Sequence, residues 1–70
     1  MSIDESKARA IAVEDAAPKY GSLTPYEIRV QREGSAWRVD FELRPPLTGG
    51  GPHYLIDGTS GEIRWKRYEQ

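Results

Sequence analysis

The sequence predicts an α+β fold in which one N-terminal helix packs on a four-stranded antiparallel meander. Residues 3–17 carry small and apolar side chains at helical spacing, and from residue 26 onward apolar residues alternate with charged ones. Short segments rich in glycine or proline separate the alternating runs. Because a helix with one apolar stripe and a sheet with one apolar face bury both by packing together, we expect the helix to cover the sheet.

The chain of 70 residues is expected to form a single domain over residues 1–70, close to the smallest size that one apolar core stabilises. It contains no cysteine, which excludes disulfide bonds and thiolate metal sites as a source of stability. The core must therefore come from close packing of large side chains. We expect Trp37 and Trp65 to belong to it, because both fall on the apolar side of their alternating runs.

The helix is expected over about residues 3–17. Ser2 and Glu5 have the spacing of a capping box, in which each side chain satisfies a backbone amide of the other residue. Pro18 disfavours helical geometry at the residue before it and Gly21 follows, so the helix should end near Ala16. The stripe expected to face the sheet consists of Ile3, Ser6, Ala10, Val13 and Ala17, with Ile11 at its rim.

The four strands are expected over about residues 26–33, 36–44, 53–57 and 62–68. The connections are a hairpin turn at residues 33–35, a flexible crossing at residues 47–52 and a tight turn at residues 57–61. The charged face of the sheet would remain exposed, with Arg29, Asp40 and Arg64 placed to pair across it. That face is either a solvated surface or a surface that binds a partner.

No residue pattern predicts catalysis or metal binding. His53 is the single histidine, no cysteine accompanies it, and no serine lies in a nucleophile-elbow pattern. The segment Gly49-Gly50-Gly51 lacks the lysine and hydroxyl residue of a phosphate loop and runs into Pro52, which favours an adaptable turn or bulge. We therefore expect no catalytic residue, no metal and no cofactor.

The candidate binding residues lie in the glycine segment, beside it, and near the end of the chain. They are Gly49, Gly50, Gly51, His53, Tyr54 and Tyr68. The tyrosines at positions 20, 26, 54 and 68 lie near strand ends or in the connector, where rings suit either the edge of a core or an interface. The sequence leaves both alternatives open.

The charges are evenly distributed, and the net charge is −1. No basic block is present to neutralise a run of phosphates or to hold a helix on a membrane surface, so neither nucleic acid nor membrane is an expected partner. The N-terminal residues lack the basic and apolar regions of a signal peptide, so a cytoplasmic location is expected.

Several short motifs follow one another at compact spacing: Tyr20-Gly21, Pro25-Tyr26, Trp37-Arg38-Val39, residues 49–57 and Ser60-Gly61-Glu62-Ile63. This succession resembles that of small bacterial immunity proteins with the nuclear-transport-factor (cystatin-like) fold, over roughly residues 8–68. PepSY domains are also similar, through an alanine-rich helix, Trp37-Arg38-Val39 and the hairpin from Tyr54 to Ile63. Tyr20-Gly21 and the three glycines favour the immunity-type family.

Both resemblances imply a non-enzymatic domain that binds another protein, and neither supplies catalytic residues. A toxin-neutralising immunity protein, or an inhibitor-like protein, is the function expected first. The alternative is a small-molecule-binding or enzymatic cystatin-like domain with a pocket between helix and sheet. Exposed edge strands would allow a weak homodimer, although the charged strands favour a monomer.

Overall fold

The structure is a computed structural model and describes residues 2–21, 23, 25–45 and 50–67. It contains one helix and one sheet of four antiparallel strands in the order β1-β2-β3-β4, which confirms the predicted helix on a meander. The elements are α1 (Glu5–Tyr20), β1 (Tyr26–Glu33), β2 (Ala36–Leu43), β3 (Gly50–Asp57) and β4 (Ile63–Arg67).

The helix begins and ends later than the sequence predicts. Its N-cap is Asp4, whose Oδ1 accepts a hydrogen bond of 2.8 Å from the Lys7 amide, so the predicted capping box at Ser2 is wrong. Pro18 lies inside the last turn, where its ring removes only one amide donor from the helical ladder. Gly21 then closes the helix with a φ of 73° and an amide hydrogen bond of 2.8 Å to the Ala17 carbonyl oxygen.

The buried stripe of α1 is also different from the predicted one. Ala8, Ala12 and Ala16 are fully buried, whereas Ser6 and Ala10 are exposed. Three alanines spaced four residues apart form a ridge that lets the helix backbone approach the sheet closely. The larger side chains Ile3, Ile11 and Val13 pack at the margins of this contact.

The strands lie within three residues of their predicted bounds. The largest difference is β3, which begins at Gly50 instead of residue 53 and therefore includes Pro52. Gly51 explains the extension, because its backbone lies directly against Phe41 of β2 and leaves no room for a side chain. The register between β2 and β3 shifts between Asp40 and Glu42, which accommodates this close approach. Of the predicted flexible crossing, residues 47–49 lie outside the described residues.

The core lies between the alanine ridge and the central strands. Val39 and Phe41 of β2 and Tyr54 and Ile56 of β3 are fully buried. The ring centroids of Phe41 and Tyr54 are 6.1 Å apart, and those of Phe41 and Tyr26 are 6.4 Å apart, distances typical of favourable aromatic pairs. Most of the core volume therefore comes from the sheet, while the helix contributes small side chains.

The two hairpin turns and the start of the helix are joined at one end of the molecule. The Gly58 amide donates to the Ser35 carbonyl oxygen, and the Ile3 amide donates to the Gly58 carbonyl oxygen, each at 2.8 Å. The indole nitrogen of Trp37 donates to the Ile3 carbonyl oxygen at 3.2 Å. These contacts attach the N-terminal segment to the sheet. The predicted tight turn at residues 57–61 is confirmed by a hydrogen bond of 3.0 Å from the Gly61 amide to the Asp57 carbonyl oxygen.

Asp57 organises the turn between β3 and β4. One carboxylate oxygen accepts from the amides of Thr59 and Ser60 at 2.8 and 2.9 Å, and the other accepts from the Arg64 guanidinium at 2.7 Å. The hydrogen bond from the Ser60 amide, followed by those from Arg64 and Thr59, holds the pKa of Asp57 far below its ordinary value. The charged form of this carboxylate therefore stabilises the folded chain.

Gly51→Ala tests the close approach of β3 to β2. A Cβ atom at this position would lie 2.8 Å from both the Phe41 carbonyl oxygen and the Tyr26 ring. We expect the substitution to lower the free energy of unfolding by about 3 kcal/mol, measured by urea denaturation. The control is Gly34→Ala, where a Cβ meets open space and only the φ of 61° opposes it, at a cost of about 1 kcal/mol. Equal effects of the two substitutions would contradict the packing argument.

Acidification tests Asp57. Because its pKa is lower in the folded chain than its ordinary value of 3.8, its stabilising effect is complete above that value and is lost as the pH falls through the folded-state pKa. For Asp57→Asn we expect a lower urea midpoint at neutral pH than for the unchanged protein. We also expect this midpoint to decrease less when the pH is lowered. The control Glu62→Gln removes an exposed carboxylate of the same turn and should leave the pH dependence nearly unchanged. An Asp57→Asn curve parallel to the unchanged one would rule out this role.

Candidate functional site

The face of the sheet opposite α1, here called the outer face, contains two adjacent rows of residues that cross all four strands. Cα pairing across the four strands defines both rows. The first row is Gln31, Arg38, Leu55 and Trp65, and the second is Arg29, Asp40, His53 and Arg67. The residues between these rows, including Val39 and Tyr54, point into the core. The outer face thus combines charged residues with a leucine and a tryptophan.

An irregularity in β4 places the tryptophan there. Ile56 pairs with Ile63, but the preceding residue Leu55 pairs with Trp65, so Arg64 is an extra residue in β4. Such a bulge exchanges the two faces of a strand beyond it. Ile63 therefore packs against the core, whereas Trp65 lies on the outer face and is 41% exposed. The prediction that Trp65 belongs to the core is wrong, because a regular alternation would have been needed to put it there.

The same bulge turns Lys66 toward the helix side of the sheet, opposite Tyr54. The Lys66 ammonium donates to both carboxylate oxygens of Asp15 on α1, at 3.3 and 3.1 Å. The Tyr54 hydroxyl donates to the same carboxylate at 2.9 Å, while the Tyr54 ring is fully buried. A cation from β4 and a hydroxyl from β3 thus join the helix to the sheet.

A cluster of three polar side chains occupies the centre of the outer face. His53 Nδ1 lies 2.6 Å from Asp40 Oδ1, and Arg38 Nε donates to both oxygens of Asp40 at 3.3 Å. The guanidinium carbon of Arg38 lies 5.9 Å from the centroid of the Trp65 ring, within cation–π range. Asp40 therefore orients Arg38 next to Trp65, and His53 orients Asp40.

The prediction that Arg29, Asp40 and Arg64 pair with one another across this face is wrong, because both arginines have other partners. Arg29 lies opposite Asp40 in the register, but its guanidinium approaches Glu42 at 3.9 Å. Arg64 pairs with Asp57 at the turn instead. Side chains on neighbouring strands reach diagonally, so backbone register alone does not determine the ion pairs. The Arg29–Glu42 pair is exposed and contributes little to stability.

The structure separates the predicted binding residues. His53 lies on the outer face, Gly50 and Gly51 are in β3, and Tyr54 is in the core. Gly49 and Tyr68 lie outside the described residues. The Tyr54 ring is fully buried, so of the two alternatives, core or interface, it belongs to the core and does not reach a partner surface.

The alternation in β2 already predicted Arg38 on the charged face together with Asp40, but Arg38 was not among the predicted binding residues. Leu55 and Trp65 were not predicted as outer-face residues. One signal was available for the tryptophan. The segment Arg64-Trp65-Lys66-Arg67 carries one ring among three cations, a composition more typical of an exposed edge strand than of a core strand. For Leu55, the relevant information is its register with Arg38 and Trp65, which a single sequence does not contain.

The Asp40–His53 contact has the geometry of an acid–base pair, since a carboxylate holds one ring nitrogen and leaves the other directed elsewhere. Here the pair lies on a sheet face, and its aspartate accepts hydrogen bonds from Arg38 Nε and so orients that guanidinium. Among the described residues, no group of three or more histidine, aspartate or glutamate side chains is placed to hold a metal ion.

Comparison of the chain with protein-family models, with curated proteins and with solved structures gave no match. Within the described part of the chain, no helix has the length and apolar character needed to cross a membrane.

Substituting each tryptophan tests the assignment of the two faces. Trp37 packs against the core and donates to the Ile3 carbonyl oxygen, so Trp37→Ala should lower the free energy of unfolding by about 3 kcal/mol. Trp65→Ala removes an outer-face ring and should cost less than about 1 kcal/mol. Urea denaturation measures both values. A larger loss for Trp65→Ala than for Trp37→Ala would place Trp65 in the core and contradict the bulge.

Proposed function

We propose that this protein is a non-enzymatic protein-binding domain whose contact surface is the outer face of the sheet. The observation that carries the proposal is the exposure of Trp65 beside Leu55 and the oriented guanidinium of Arg38. Tryptophan and arginine dominate the binding energy of protein interfaces when they lie together near the centre of a contact. An exposed tryptophan has no role in the core of this small domain, which argues for a role in binding.

The scaffold beneath this surface supports the proposal. Trp65 and Leu55 lie on paired strands, and the residues next to Leu55, Tyr54 and Ile56, are fully buried on the other face. Because the core holds the strands in place, the outer face needs little ordering when a partner binds. Preorganised side chains lose less conformational entropy on binding, which favours affinity.

The resemblance to immunity proteins suggests which kind of protein the partner is. We propose that the protein is a small cytoplasmic immunity or inhibitor-like protein that neutralises a toxin by steric occlusion. A helix packed on an antiparallel sheet agrees with the fold that this resemblance implies. The PepSY-like reading implies a binding domain as well, so the outer-face proposal does not depend on the choice of family.

The alternative is a small-molecule or enzymatic domain with a pocket between helix and sheet. The described part of that contact is filled by the alanine ridge together with Phe41 and Tyr54, all fully buried. Ligand pockets in proteins have volumes of several hundred Å³. The tight helix–sheet contact therefore favours binding on the outer face over a pocket beneath the helix.

A capture experiment with matched variants tests the proposal. The immobilised protein is incubated with a lysate of its source cells, alongside Trp65→Ala and the control Arg9→Ala, which changes an exposed position on α1. We expect the unchanged protein and Arg9→Ala to retain the same stoichiometric protein. Trp65→Ala should bind it about thirtyfold more weakly, as expected for loss of a tryptophan that contributes strongly to an interface.

Circular dichroism of each variant before capture shows that the fold is retained. Two results would count against the proposal: equal retention of the partner by Trp65→Ala, or absence of any stoichiometric partner with the unchanged protein. The alternative pocket would instead be indicated by a small molecule that shifts the amide resonances of Ala12, on the buried side of the helix, and of Phe41 beneath it.

A further inference from the structure

We infer that the partner presents an acidic segment to the outer face, with a carboxylate against Arg38 and Arg67 and an apolar side chain against Leu55 and Trp65. This inference rests on the proposed function, since it names the chemistry that the same surface would recognise. It follows from the N–H donors of the two arginines that no described residue accepts, from the pairing of Asp40 with Arg38 and His53, and from the positions of both cations beside the tryptophan.

Arg38 has donors available for a further acceptor. Its Nε donates to Asp40, but no described residue accepts a hydrogen bond from its two terminal nitrogens. These nitrogens carry four N–H groups in a planar fork that matches the two oxygens of a carboxylate. Since the side chain is 40% exposed and Asp40 fixes its Nε, the guanidinium is preoriented for an incoming carboxylate.

The negative charge of Asp40 repels an incoming carboxylate only weakly. Its carboxylate is only 16% exposed and contacts both Arg38 and His53. A ligand approaching from solvent therefore meets the terminal nitrogens of Arg38 before it meets the oxygens of Asp40. Hydrogen bonds between ionised groups are stronger than neutral ones, and this strength increases where water is excluded.

Arg67 provides a second cation on the same side of the face. It follows Trp65 by two residues on β4 and pairs in register with His53 of β3. The described part of the chain supplies no hydrogen bond or ion pair to its guanidinium. Side chains two residues apart on a strand lie on the same face, about 7 Å apart. Trp65 is thus flanked by Arg67 along its strand and by Arg38 across the sheet.

A second copy of this chain fits the surface less well than a different protein does. The opposite side of the outer face carries Glu27 and Glu42, which could supply carboxylates in a symmetric dimer. Four strands at their usual spacing, however, offer a face of only about 500 Å² per subunit, below the roughly 800 Å² of a stable interface. A different partner can present a protruding acidic segment that also contacts the β4 edge.

Capped peptides provide a direct probe that does not require the natural partner. We would titrate the protein with a soluble peptide of leucine, glutamate and serine, and with its counterpart in which glutamine replaces glutamate. The readout is the NMR shift of the Trp65 indole and Arg38 Nε protons. We expect the glutamate peptide to bind at least about tenfold more tightly than the glutamine peptide, as charge-assisted hydrogen bonds require. Its affinity should fall as ionic strength rises.

Arginine variants locate the recognition. Arg38→Gln and Arg67→Gln should each weaken binding of the glutamate peptide about tenfold or more, and neither should change binding of the glutamine peptide. The control is Arg29→Gln, which removes a cation of the same face that already has Glu42 as its partner. Arg67→Gln keeps the test decisive even where Arg38→Gln disturbs Asp40, because no described residue depends on Arg67. Equal binding of the two peptides, or no shift at the Trp65 indole with either, would overturn the inference.

The arginine variants also separate this inference from the proposed function when used in the capture experiment. Loss of the captured protein in Trp65→Ala together with its retention in Arg38→Gln and Arg67→Gln would leave the binding surface in place and refute acidic recognition. Retention in Trp65→Ala would refute the surface itself. Salt-sensitive self-association, measured by sedimentation at two concentrations and abolished by Arg38→Gln, would assign the carboxylates to a second copy and also overturn the inference.

Discussion

Arg64 has no Cα partner in β3, and its guanidinium instead donates to Asp57, the residue that organises the adjoining turn. This contact accompanies the extra residue in β4, and the orientation of every later residue in the strand follows from it. Ile63 completes the core, Trp65 turns to the outer face and Lys66 turns toward the helix. With a regular β4, Trp65 would face the helix and the outer face would lose its tryptophan. The candidate site thus depends on one irregular position.

The helix contact imposes a second constraint, since the chain has no cysteine and only 70 residues with which to build a core. Its alanine ridge allows close approach, and the sheet supplies the large side chains that fill the interior. Gly51 has the corresponding effect between β2 and β3, where a side chain would collide with Phe41. Small residues at these contacts let four larger ones, Val39, Phe41, Tyr54 and Ile56, pack together fully buried. Stability therefore depends on where side chains are absent as well as on where they are present.

The sequence predicts the elements of this fold better than it predicts their faces. The alternation in β1 and β2 and the turn at residues 57–61 are local patterns, and the structure confirms them. The helix stripe is a weaker signal, because alanines at both the predicted and the observed positions are nearly equivalent in hydrophobicity. For the candidate site, the sequence analysis named the charged face of the sheet and His53 as possible binding elements, but it assigned Trp65 to the core. That error has a physical cause: a bulge is a choice of register between two strands, and the residues of β4 alone do not reveal it.

From Pro52 to Asp57, buried and partly exposed residues of β3 alternate strictly, which affects how the sequence of such a protein can vary. His53 and Leu55 lie on the outer face, while Tyr54 between them is sealed in the interior. Under the proposed function, adjacent residues of this strand therefore have separate roles, one in recognition and the next in folding. Substitutions of exposed outer-face residues should alter that surface with little effect on the free energy of unfolding. Under the proposed function, such substitutions would let the recognised target change while the buried half of each strand remains the same.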